Sequence, residues 1–173
     1  PDELKTFRFN TYIKSKNPIL STQQSGVYGL LNEFSAYYHG TRASYNTFEY
    51  YIGKTETTNQ DYLNYLSDVN STRNAHLEFK YYILKYLIYA RKHNREVYDE
   101  VIANERFKEA FRKIDDLFFQ LQKDYSDRRK EIADALTEKG VKIQYDEDVD
   151  WVGTSGVGNF SNEYNALKTE LEK

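Results

Sequence analysis

A long stripe of apolar residues in the second half of the chain constrains the fold more than any other feature. Between residues 105 and 139, apolar side chains recur at alternating steps of four and three, with Arg128 the only polar member: Phe107, Phe111, Ile114, Phe118, Leu121, Tyr125, Ile132 and Ala135. This spacing predicts one helix of roughly 50 Å, at about 1.5 Å per residue, that ends at Gly140. Such a stripe is also typical of a self-associating coiled coil, but here we expect it to pack on the protein's own helices.

The composition favours one folded domain. The chain has 173 residues, of which 39% are hydrophobic and 16% aromatic, which is enough to form a core. We therefore expect residues 1–173 to form a single, mainly α-helical, bundle-like domain with a small β element; an α+β fold is the alternative. The 17 tyrosines are expected on half-buried faces, because each hydroxyl needs water or a partner. The start at Pro1 and the absence of methionine suggest a segment of a larger protein, which we expect to be bacterial.

Charge and residue usage exclude several classes of function. The net charge is −3 with acidic and basic residues well mixed, so no overall field attracts nucleic acid. No apolar run is long enough for a membrane span. The absence of cysteine excludes disulfides and thiolate chemistry but leaves the compartment open, with an extracellular or cell-surface location favoured. These properties fit a monomer that has a protein or peptide partner.

The first predicted helix covers residues 21–40, with its apolar residues at steps of three and four. Its core face is Val27, Leu30, Leu31, Phe34, Tyr37 and Tyr38. Its expected end signals are a capping box and a glycine stop: Ser21 with Gln24, and Gly40. A short helix capped by Ser44 and ended by Gly53 is expected within residues 41–52.

Helical spacing continues over residues 61–93, where the polar residues 70–74 are expected to divide the pattern in two. The apolar points of its first half are Leu63, Leu66 and Val69. Residues 79–90 read FKYYILKYLIYA and are apolar on nearly every side, which predicts the central core helix. A further short helix is predicted over residues 95–103. Two asparagines are expected to cap helices: Asn59 and Asn104.

Two stretches alternate like β-strands and carry the predicted β element. Within residues 4–13 two faces alternate, one with Phe7, Phe9 and Ile13 and the other with Arg8, Asn10 and Tyr12. Residues 141–152 return to strand character. Ser161 is expected to cap a short final helix. The three histidines have no local catalytic signature and are expected at the surface or its edge: His39, His76 and His93.

Residues 31–38 read LNEFSAYY, and this segment resembles the third-ligand helix of zincin-type metallopeptidases, whose pattern is roughly L-N-E-x-x-A-x-Y. In that family the glutamate completes a zinc site begun by two histidines of an upstream H-E-x-x-H helix. The resemblance implies Glu33 as a zinc ligand, in a three-ligand site that leaves one metal position for water. The chain contains no H-E-x-x-H, and the family's common spacing would place that motif at Asn10–Lys14, which reads NTYIK.

Two functional hypotheses follow from these observations. The first is a non-catalytic helical module of a larger protein, without a cofactor, that acts by binding or by supporting a neighbouring domain. The alternative is the carboxyl-terminal part of a zincin-like metallopeptidase whose H-E-x-x-H half lies outside this chain, with zinc as its cofactor and Glu33 as a metal ligand. A tight zinc site that depends on Glu33 would distinguish the second hypothesis from the first.

Overall fold

The computed structural model describes residues 6–53 and 56–140, and these residues form a bundle of helices. In this part of the chain there are a short π-helix and six α-helices, and no β-strand: the π-helix Asn10–Lys14, α1 Ser21–Asn46, α2 Phe48–Ile52, α3 Asn59–Arg73, α4 Ala75–His93, α5 Arg95–Ala103 and α6 Glu105–Glu138. The predicted mainly α-helical, bundle-like fold is confirmed. No helix of the described ranges is both long enough and apolar enough to cross a membrane.

Helix α4 lies at the centre of the bundle, as residues 79–90 predicted, and it contacts α1, α5 and α6. Most of its apolar side chains are buried, including Phe79, Ile83, Leu84 and Leu87, whereas Tyr89 near its end is 65% exposed. A helix that is apolar on nearly all sides must be covered on all sides, because exposed apolar area is unfavourable in water. The division expected within residues 70–74 is also confirmed, since α3 ends at Arg73 and α4 begins at Ala75.

Helix α6 confirms the long stripe almost residue for residue. It ends at Glu138, and Gly140 follows with a φ of 77°, a left-handed conformation that favours glycine. Asn104 caps its start by accepting a hydrogen bond of 3.2 Å from the backbone N–H of Phe107. The first half of α6 packs with α1, α4 and α5 in the larger group of buried apolar residues, the main core, which includes Phe34, Phe79, Leu84, Phe111 and Phe118. The second half belongs to a smaller group that we call the tyrosine cluster: Tyr62, Tyr65, Val69, Tyr125, Ile132 and Leu136.

The tyrosine cluster corrects the predicted face of α3. Leu63 was expected at the core but is 50% exposed, whereas Tyr65 is fully buried. The tyrosine rings can be buried because their hydroxyls reach backbone carbonyls: Tyr65 donates to Tyr45 over 3.1 Å, and Tyr125 donates to Leu66 over 3.3 Å. A tyrosine whose hydroxyl has a hydrogen-bond partner can bury more apolar area than a leucine does. The expectation of half-buried tyrosines is therefore wrong for this cluster.

Helix α1 departs from its predicted boundaries at both ends. It runs past Gly40 to Asn46, because buried Thr41 continues the helix; its hydroxyl donates to the carbonyl of Tyr37 over 2.7 Å and lies 2.9 Å from the hydroxyl of Thr72. The expected capping box at its start is absent: Leu20 occupies the cap position, and the side chain of Gln24 donates to the carbonyl of Pro18 instead.

Threonines, rather than the residues expected from the sequence, make the hydrogen bonds at the helix ends that follow α1. Ser44 does not cap a helix. Its carbonyl accepts a hydrogen bond of 2.6 Å from the hydroxyl of Thr47, and Thr47 is the residue between α1 and α2. Gly53 follows α2, as predicted, and its N–H donates to the carbonyl of Glu49 over 2.8 Å. Helix α3 is capped by Thr58, in a capping box with Asp61, and not by Asn59.

The predicted strand over residues 4–13 is wrong for the residues that are described. Residues 7 and 8 form a turn, and Asn10–Lys14 form the π-helix. The alternation was read with the wrong face inward, since Phe7 is 73% exposed and Arg8 is 5% exposed. The buried side chain of Arg8 pairs with Glu78 and so holds this segment against α4. The predicted strand at 141–152 and the helix expected from Ser161 lie outside the described residues.

Candidate functional site

Glu33 lies on α1 beside the π-helix, at the place where the segment Asn10–Lys14 packs on this helix. Its carboxylate is half-buried, and burial raises the pKa of Glu33 above its ordinary value. The hydroxyl of Tyr12 donates toward this carboxylate and lowers the pKa in part. The same hydroxyl is 3.2 Å from the hydroxyl of Tyr37, one turn further along α1. The neighbours of Glu33 are therefore phenols rather than imidazoles.

This arrangement bears on the resemblance of residues 31–38 to a zinc-ligand helix. The segment at the expected spacing does approach Glu33, but the residue that it brings there is Tyr12. Among the described residues, no three histidine, aspartate or glutamate side chains come together in a way that could hold a metal ion. His39 is exposed, six residues after Glu33 on the same helix. The described part of the chain thus leaves Glu33 without the partner ligands that the resemblance requires.

A buried ion pair joins the N-terminal segment to α4. Nη1 of Arg8 donates to Oε2 of Glu78 over 2.7 Å, and the two side chains are 6% and 1% exposed. Nη2 of Arg8 donates to the carbonyl of Ser71 over 2.8 Å, and its guanidinium lies 4.6 Å from the ring centre of Tyr37. Burial alone would lower the pKa of Arg8, but the contacts with Glu78 and Tyr37 raise it, so Arg8 stays charged.

A second buried polar group joins α4 to α6. Nε2 of His76 is 2.8 Å from Oδ1 of Asp115, and Nζ of Lys80 is 2.5 Å from Oδ2 of the same carboxylate. His76 and Lys80 lie one turn apart on α4, so both reach one residue of α6. The ring of His76 packs against the rings of Phe34 and Phe118, with centroid distances of 5.9 and 4.8 Å. The imidazole therefore contacts aromatic rings and binds a carboxylate through its Nε2 edge.

The protonation states of this group follow from its surroundings. Burial lowers the pKa of His76, although the hydrogen bond with Asp115 opposes that change. Burial alone would raise the pKa of Asp115, but the hydrogen bonds from His76 and Lys80 bring it below its ordinary value. We assign an ionised Asp115 and a neutral His76 that donates from Nε2, because this state agrees with the lowered pKa of each group. Lys80 then balances the charge of Asp115.

We predict that neutral His76 makes the fold sensitive to mild acid. Its pKa is lower in the folded chain than the value of about 6.5 in an unfolded one. The unfolded chain then binds the proton more readily, so stability is full above pH 6.5 or so and falls as the pH drops below it. Urea denaturation at several pH values should show this loss in the wild type, and His76→Gln should reduce it.

Exposed His39 supplies the control for this measurement. His39→Gln should leave the pH dependence of the free energy of unfolding unchanged, since His39 is exposed and takes no part in the buried polar group. Glu33 acts in the opposite direction at lower pH, because its raised pKa removes stability as the pH increases. If His76→Gln and His39→Gln both left the wild-type profile unaltered, the assignment of a neutral His76 would be wrong.

The sequence identified Glu33 but missed the buried polar groups. His76 was expected at the surface and is 4% exposed, whereas His39 and His93 are exposed as expected. One signal was available: Glu78 and Lys80 lie at the start of the most apolar helix of the chain, where charged residues need partners. The partners could not be read, because Arg8 and Asp115 lie 70 and 35 residues away in the chain.

Comparisons of the chain with protein-family models, with curated proteins and with solved structures find no match.

Proposed function

We propose that this chain is a non-catalytic helical module of a larger protein, acting by binding or by supporting a neighbouring domain. One observation carries the proposal: each buried charged side chain of the described residues binds a partner on another element or turn. Arg8 binds Glu78, His76 and Lys80 bind Asp115, and Arg73 binds Asn70 and Gln122. Catalytic groups must face a substrate, whereas these groups hold helices together.

The competing hypothesis of a zincin-like peptidase is tested at Glu33. We expect calorimetry with zinc to find no tight site in the wild-type chain, because the side chain that approaches Glu33 is Tyr12, which is not a zinc ligand of the zincin type. Peptide hydrolysis should be absent with and without added zinc. Glu33→Gln should keep or increase the free energy of unfolding at neutral pH, since burial disfavours the charged form that it removes.

Exposed Glu49 on α2 gives the matched control. One tight zinc site that is lost in Glu33→Ala and kept in Glu49→Ala would overturn the proposal and favour the peptidase hypothesis. Zinc-dependent hydrolysis lost in the same variant would do so as well. Weak zinc binding that neither substitution changes would reflect scattered surface histidines and is compatible with the proposal.

A further inference from the structure

The positive charge of the chain is concentrated in two stretches that contain no acidic residue. Residues 4–32 and residues 79–95 hold nine lysines and arginines and no aspartate or glutamate. The net charge of −3 therefore conceals a separation of charge along the chain, since every acidic residue lies outside these two stretches. A local excess of positive charge forms on the surface if the fold brings the two stretches together.

The fold places these two stretches at the same end of the bundle. Helices α1 and α4 pack antiparallel, so that the start of α1 meets the second half of α4: the hydroxyl of Tyr86 lies 3.1 Å from the position that a Cβ at Gly26 would occupy. The connection after the π-helix returns to this end, because the side-chain amide of Gln23 donates to the carbonyl of Tyr12 over 3.2 Å. Residues 13–20 therefore lie at the end of the bundle that also holds the second half of α4.

Four lysines in this part of the molecule form no salt bridge with a described residue. Other cations of the two stretches are neutralised within the fold, since Arg8 binds Glu78 and Lys80 binds Asp115. The four lysines, in contrast, are exposed and have no ion-pair partner among the described residues: Lys14, Lys16, Lys85 and Lys92. Their charges are available to an anion outside the chain.

Exposed apolar side chains accompany these lysines. Ile13 is 37% exposed and Ile19 is 82% exposed. A turn holds Ile19 outward, because its N–H donates to the side chain of Asn17 over 3.1 Å and the N–H of Leu20 donates to the carbonyl of Asn17 over 3.2 Å. On α4, Tyr89 is 65% exposed and lies at helical spacing between the two lysines of that helix. We call the four lysines, the two isoleucines and Tyr89 the basic end.

We propose that the basic end is a docking surface for an anionic lipid membrane. Surfaces of this kind combine cations that are attracted to acidic headgroups with apolar side chains that enter the boundary between headgroups and acyl chains. Tyrosine is favoured at the same depth, because its ring is apolar and its hydroxyl is polar. The attachment is peripheral, with the bundle lying on the membrane surface. This inference rests on the proposed function as a binding module and names its partner.

Nucleic acid is the alternative polyanion, and the exposed isoleucines favour the membrane over it. Lysines bind the phosphates of nucleic acid and of lipid headgroups alike. An aliphatic side chain on an exposed turn gains nothing from a phosphate backbone, whereas it leaves water when it enters a lipid interface. Ile19 is therefore the residue whose behaviour separates the two ligands.

Cosedimentation of the full chain with vesicles tests the lysines. The wild type should bind vesicles of phosphatidylserine and phosphatidylcholine in equal parts, bind phosphatidylcholine alone more weakly, and lose binding as the salt concentration rises. Lys14→Gln with Lys16→Gln should weaken binding to the acidic vesicles roughly 25-fold, since each lysine near an anionic surface contributes about fivefold. Lys113→Gln with Lys123→Gln is the matched control, because it removes the same charge from exposed positions of α6, and it should bind like the wild type.

The absence of cysteine permits a direct test of insertion at the turn. A polarity-sensitive fluorophore attached to the Ile19→Cys variant should shift to shorter wavelength with the acidic vesicles and not with single-stranded RNA. The same label on Leu63→Cys, at a 50% exposed position of α3, should shift with neither. Ile19→Ser without a label should weaken vesicle binding about tenfold, because it removes the apolar side chain that enters the interface.

The substituted side chains are exposed, so the variants should keep the circular dichroism spectrum and the urea midpoint of the wild type. If the first lysine pair nevertheless failed to fold, Lys85→Gln with Lys92→Gln would repeat the test on α4, with the same expected loss of vesicle binding.

Any of three outcomes would overturn the proposal: no binding of the wild type to acidic vesicles at low salt, equal binding by the lysine variants and their control, or a label at residue 19 that does not respond to vesicles. Binding of single-stranded RNA without binding of vesicles would assign the lysines to nucleic acid and would overturn it as well. Failure of membrane binding leaves the non-catalytic assignment intact, since only a zinc site that depends on Glu33 or zinc-dependent hydrolysis contradicts that assignment.

Discussion

We expect Phe118→Ala to lower the free energy of unfolding by about 3–5 kcal/mol, the usual cost of truncating a fully buried aromatic ring. Phe118 is 0% exposed and stacks against His76 and Phe34 at 4.8 and 5.8 Å. Removing the ring leaves a cavity between α1, α4 and α6 that the surrounding helices can fill only in part. The midpoint of urea denaturation, with an unchanged slope, gives the measurement.

The adjacent residue on α6 provides a control of identical chemistry. Phe119 is 56% exposed, so Phe119→Ala should change the free energy of unfolding by no more than about 0.5 kcal/mol. The two substitutions remove the same side chain at adjacent positions, so a difference between their free energies of unfolding reflects burial. Equal midpoints for the two variants would show that the assigned inner face of α6 is wrong.

Asp115→Ala should lower the free energy of unfolding by about 3 kcal/mol, because it removes the carboxylate that balances a buried cation. The side chains of His76 and Lys80 are 5% and 9% exposed, and both bind Asp115. The value lies at the low end for a broken buried pair, since Asp115 itself is 20% exposed.

Asp116 is the neighbouring control, since it is exposed on α6. Asp116→Ala should leave the midpoint of denaturation within the error of the measurement. Replacing Lys80 and Asp115 together, as Lys80→Met with Asp115→Leu, should recover only part of the lost stability, because apolar residues can substitute for a buried ion pair but Nε2 of His76 still loses its acceptor. If Asp115→Ala were no more destabilising than Asp116→Ala, the polar group would contribute nothing to the fold.

The sequence predicted the elements whose signals are local. The stripe of α6 repeats over many turns, so single polar exceptions such as Arg128 do not obscure it. Arg128 proved consistent with burial of the stripe, because its guanidinium lies 3.9 Å from the ring centre of Phe48. The apolar run of α4 and the cap at Asn104 were likewise readable, since both depend on residues within one helix or its first turn.

Features that depend on distant partners could not be predicted. The alternation in residues 4–13 is that of a strand, and only Glu78 on α4 shows why Arg8 turns inward. Burial of His76 depends on two aromatic rings from α1 and α6. Glu33 was the only residue of the candidate site that the sequence predicted. Its neighbour Tyr12 could not be predicted, because it reaches Glu33 only through the packing of the π-helix on α1.

The division of α6 between the main core and the tyrosine cluster has a consequence for how the molecule opens. A helix frays from its end, and the free energy of local opening is smallest where few apolar contacts must be broken. The end of α6 is held by the smaller group of buried residues, which includes Tyr125, Ile132 and Leu136, whereas its start lies in the main core. Amide hydrogens near Leu136 should therefore exchange with solvent through partial unfolding, while those near Phe118 should exchange only when the whole chain unfolds.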